Sequence, residues 1–61
     1  MANLTAKELT ALEDQIGMEQ TLIKKTHAMA NMCTDPKMKQ CLTDFAQKHQ
    51  QHYNTLMTFL Q

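Results

Sequence analysis

With 61 residues, six acidic and six basic side chains, one Gly, one Pro and no Trp, the chain has room for a single small domain. A chain of this size hides only about 60% of its unfolded surface when it folds alone, so a metal, a disulfide or a partner chain is expected to help. The formal charge of zero leaves no electrostatic footprint for nucleic acid or anionic lipid, and no apolar run approaches the ~20 residues of a membrane span.

The start, Met1-Ala2-Asn3-Leu4-Thr5, lacks the basic-then-apolar pattern of a secretory leader, and the expectation is a soluble, cytoplasmic chain. Thr5-Ala6-Lys7-Glu8 fits a capping box, with Leu4 and Leu9 placed as a hydrophobic staple. Helix 1 is predicted from there over about 5–33. At 100° per residue Leu9, Leu12, Ile16, Glu19, Ile23, Thr26, Ala30 and Cys33 share one arc, and Ala11, Met18, Leu22 and Met29 form an adjoining row. Gly17 interrupts the pattern at a cost of up to ~1 kcal/mol relative to Ala, which suggests a close helix approach or a flexible point.

Thr34-Asp35-Pro36 ends this pattern. Residues 34–35 form the turn, Asp35 suits an N-cap and Pro36 a first helical position, where no amide partner is needed. Helix 2 is predicted over about 36–60, with Met38, Cys41, Leu42, Phe45, Ala46, His49, His52, Tyr53, Leu56, Met57, Phe59 and Leu60 on one half of its wheel. Two helices joined by so short a turn fold back as an antiparallel hairpin. The resulting single domain, 1–61, is all-α. A lone hairpin leaves one apolar side open to water, and the simplest closed solution is a twofold homodimer forming a four-helix bundle.

Apart from Thr26, the core-facing places are apolar or small except at Glu19, His49 and His52. A carboxylate is costly to bury unless it is paired, hydrogen-bonded or bound to a metal. Counted from Asp35 at 1.5 Å per residue, Glu19 lies about 24 Å away, His49 about 21 Å and His52 about 25.5 Å. The three therefore occupy one layer, and a twofold axis near it would gather two copies of each. Carboxylate with imidazole suits a divalent ion, Fe or Zn ahead of Cu. The alternative is a metal-free polar layer that fixes the register of the bundle. His27 reads as a boundary residue, and Tyr53 as a rim residue whose hydroxyl reaches water or hydrogen-bonds to Glu19 or His49.

The six Met and two Cys raise a soft-metal reading, with Met29, Cys33, Met38 and Cys41 near the turn. Met at helical spacing usually fills core space, and two free thiols in a reducing cytosol are the simplest state of the cysteines. A Cys33–Cys41 bridge across the turn is the alternative.

The stretches Glu8-Leu9-Thr10-Ala11-Leu12-Glu13-Asp14-Gln15, Glu19-Gln20, Asp35-Pro36 and Ala46-Gln47-Lys48-His49-Gln50-Gln51-His52-Tyr53 resemble half of a ferritin-like or rubrerythrin-like bundle. They look most like the two-helix Coat F family of small spore coat proteins. The resemblance implies a structural or metal-binding role in a spore-forming bacterium, incorporation into the spore coat, and other spore coat proteins as partners. In ferritin-like di-iron sites two helices supply a Glu and two a Glu-x-x-His. Glu19 matches the lone Glu and His52 the His, but His49 stands in place of the second carboxylate. That lower charge suits a single Zn or Fe ion, or a structural ion, better than an iron pair. Catalytic residues are not identified: the chain has no Ser, no Arg and no Gly-rich loop, which removes serine-nucleophile and phosphate-cradle schemes. A minimal di-iron oxidase or peroxide scavenger is the enzyme alternative.

Overall fold

A computed structural model describes residues 3–61. Met1 and Ala2, the start of the segment read above as lacking a leader pattern, lie outside the described residues. Thr5 caps helix α1, Ala6–Met32. Its hydroxyl accepts from the Glu8 amide at 3.1 Å while its own amide donates to the Glu8 carboxylate at 3.0 Å, so two otherwise orphaned donors are satisfied reciprocally. The chain turns over Cys33–Asp35, with the Cys33 amide donating to the Ala30 carbonyl. Asp35 then accepts from the Lys37 amide at 2.9 Å and Pro36 opens helix α2, Pro36–Met57. The α-helix stops three residues short of the expected end. Thr58–Leu60 form one 3₁₀ turn instead, where the Thr58 hydroxyl donates to the Thr55 carbonyl and tightens the chain.

The two helices pack antiparallel into a rod of 45 × 15 × 11 Å. Among the described residues there is no strand, and no helix is long and apolar enough to cross a membrane. The seam between the helices is narrow. Ile16, Glu19, Thr26 and Ala30 from α1 and Ala46 from α2 are buried, flanked by half-buried Leu12, Ile23, Leu42, Tyr53, Leu56 and Met57. Small side chains at Thr26, Ala30 and Ala46 let the helices approach in the half nearer the turn. Ala46, at 0% exposure, is the most deeply buried of them.

Only one of the two apolar rows on α1 reaches this seam. Met18, Leu22 and Met29 stay exposed, as do Met38, Phe45 and Phe59 on α2. Among the described residues no large side chain is fully buried, so the core of a single hairpin is thin. Gly17 does not serve a close approach, since a Cβ there would meet nothing within 4 Å. Cys33 and Cys41 are free thiols, the first half-buried and the second exposed.

Candidate metal centre

Glu19 sits in the middle of α1, in the same row as Ile16, Ile23 and Thr26, and the helical repeat turns it into the seam. Its side chain is 7% exposed. Across the seam, the cap at Asp35 and Pro36 sets the phase of α2, so that His49 falls on the seam and His52, three residues on, on the adjoining flank. His49 is 15% exposed and His52 60%. The wheel expectation of three inward residues is thus met by Glu19 and largely by His49, whereas His52 stands at the edge. Its position is about 90° round the helix from the seam, a flank that a single hairpin does not cover.

The His49 Nδ1 donates to Glu19 Oε2 at 2.5 Å. The His52 Nδ1 lies 3.6 Å from the other carboxylate oxygen, Oε1, too far for a hydrogen bond. Phe45 leans on the His49 ring with centroids 4.4 Å apart, and the two imidazoles meet edge to face at 5.4 Å. The hydrogen bond from His49 holds the Glu19 carboxyl below its ordinary value of 4.5. Burial acts the other way and is outweighed, with the nearby imidazoles and the Gln15 amide also favouring the ionised form.

One donor atom each from Glu19, His49 and His52 lies within 4.8 Å of the others, so this group can hold a metal ion. Metal–ligand bonds of about 2.0–2.1 Å place tetrahedral donors ~3.3 Å apart. The separations therefore have to close by up to about 1.5 Å, within reach of side-chain torsions. The ionised carboxylate supplies the charge that favours a divalent cation, and the imidazoles supply borderline nitrogen donors. Comparison with family models, with curated proteins and with solved structures finds no match for this chain.

His27 is exposed on the opposite side of the hairpin, beside Thr43, Gln47 and Gln50, and takes no part in the cluster. The Tyr53 hydroxyl meets neither Glu19 nor His49. It accepts from the Gln20 side-chain amide at 3.4 Å, a cross-helix tie that sequence reading missed because Gln20 lies off the apolar arc. Counting along the helices would have placed Gln20 and Tyr53 within one turn of each other, about 4.5 Å apart in height.

Proposed function

We propose that this chain is a small metal-binding helical hairpin that pairs with itself and serves a structural role, with Glu19, His49 and His52 as ligands for a Zn or Fe ion. The observation that carries the reading is the convergence of a buried carboxylate and two imidazoles from opposite helices within 4.8 Å. The thin single-hairpin core supports pairing into a four-helix bundle. The likeness to ferritin-like proteins and to Coat F spore coat proteins rests on the stretches quoted above, and it suggests a cytoplasmic protein of a sporulating cell that enters the spore coat. One carboxylate per chain favours a structural ion over the di-iron chemistry of an oxidase or peroxide scavenger.

A second reading draws on a specific observation. Glu19 is already satisfied by His49, and among the described residues no buried side-chain nitrogen or oxygen lacks a partner. A metal-free polar layer that fixes helix register is self-consistent on those grounds.

Elemental analysis of protein purified without a His tag separates the two. The metal reading expects Zn or Fe in molar proportion and a stability gain of about 2.7 kcal/mol when free Zn²⁺ is a hundredfold above Kd. It also expects His52→Ala to lose most of the metal and His27→Ala none. A clean apo protein with unmoved melting defeats it, as does equal loss in both variants.

A further inference from the structure

One broad face of the hairpin is apolar and unpartnered. On α1 it carries Met18, Leu22 and Met29, and on α2 Phe45 and Phe59, all exposed. Helical angles place these residues and His52 on the same side of the seam. The exposed member of the metal cluster thus stands on the apolar face, and the other two lie just beneath it.

The exposed area is enough for a second copy of the chain to cover this face. A compact monomer of 7.0 kDa exposes about 4,000 Å². This hairpin exposes 4902 Å², an excess of about 900 Å², close to the ~800 Å² that each partner contributes to a standard interface. A second hairpin laid on the same face removes that excess and makes a four-helix bundle. Glu19 is the central residue of the 27-residue α1, so a twofold axis that gives full-length overlap passes through its layer, whichever way the hairpins run. The two metal clusters then face each other at the axis.

We infer that metal binding and pairing are one coupled event: each cluster of Glu19, His49 and His52 is one donor short of a closed tetrahedral site, and a second copy of the chain, docked on the apolar face, supplies it through the second carboxylate oxygen of its own Glu19. The inference rests on the metal reading above. Structural zinc sites take four protein ligands, and exposed His52 brings this cluster to the face that the partner covers. Each event therefore strengthens the other by the same factor.

The test uses the full chain, free of tags, in sedimentation equilibrium with chelator or with Zn²⁺, alongside Zn²⁺ titration calorimetry. Zn²⁺ is expected to tighten the dimer at least ~10-fold. Met29→Lys lies about 15 Å along α1 from Glu19 and adds no metal ligand. It is expected to weaken both the dimer and Zn²⁺ binding by comparable factors, while Gln47→Lys on the opposite face changes neither. Helicity by circular dichroism confirms that both variants fold, and Leu22→Lys replaces Met29→Lys if it does not. Zn²⁺ binding unaltered by Met29→Lys, or a dimer indifferent to Zn²⁺, overturns the coupling and leaves the metal reading standing. Absence of Zn²⁺ binding by the wild-type chain overturns both.

Discussion

One broad face of the hairpin shows water Gln20, Lys24, His27, Thr43, Gln47 and Gln50, while the other shows it Met18, Leu22, Met29, Met38, Phe45 and Phe59. Each face also carries one polar tie between the helices. On the polar side Gln20 donates to Tyr53 across 3.4 Å in full view of solvent. Towards the apolar side a buried carboxylate takes a 2.5 Å hydrogen bond from His49 and has His52 beside it. The polar tie is exposed and neutral, so water competes for both of its partners and it contributes little. The other is charged and shielded, and its open edge is rimmed by apolar side chains that a solvated surface would not select. This fold keeps its charged cluster towards the side it leaves uncovered.

The contrast between the two faces is sharpest at Phe45. Phe45→Asp is expected to weaken self-association at least ~30-fold, whereas Gln50→Asp, on the polar face, leaves it unchanged; sedimentation equilibrium reads both. A similar loss in the two variants would erase the distinction between the faces.

The next largest effect concerns acid. Because Glu19 titrates lower in the folded chain than its ordinary 4.5, its contribution to stability is complete above that value. It is lost as pH falls below it and through the lowered folded value. Glu8, lowered by the backbone amide and then the hydroxyl of Thr5, adds a share of the same sign. Denaturant unfolding from pH 6 to 3 is expected to show falling stability in the wild type and a shallower slope in Glu19→Gln, which keeps the Glu8 share. Identical slopes would show that the ionised carboxylate is not what the tie depends on.

The smallest effect is at the polar tie, where Tyr53→Phe is expected to cost below ~0.5 kcal/mol. A cost above ~1.5 kcal/mol would mean that this tie has been underrated.

Much of this architecture was legible in advance where the deciding interaction is local. The capping pairs Thr5 with Glu8 and Asp35 with Lys37 lie within three residues, so short-range chemistry sets both helix starts. The layer shared by Glu19, His49 and His52 follows from the rigid rise of the helix counted from a short turn. The choice between neighbouring arcs was not legible. A wheel orders Ile16 and Met18 by angle, but which of them meets α2 depends on how the helices roll against each other, and the small residues Thr26, Ala30 and Ala46 settle that. For the same reason His52 ended on the flank instead of the seam. The close-approach reading of Gly17 failed because open space leaves no trace in a sequence, and the 3₁₀ ending of α2, accompanied by a hydroxyl hydrogen bond at Thr58, has no periodic signature.

X-ray absorption on the Zn²⁺-loaded, tag-free chain reads the atoms around the ion. A shell of nitrogen and oxygen at about 2.0–2.1 Å with imidazole scattering is expected, diminished in His52→Ala and unaltered in His27→Ala. Sulfur at about 2.3 Å would move the metal to the cysteines, and a shell of water oxygens alone would leave Glu19, His49 and His52 without a metal to hold.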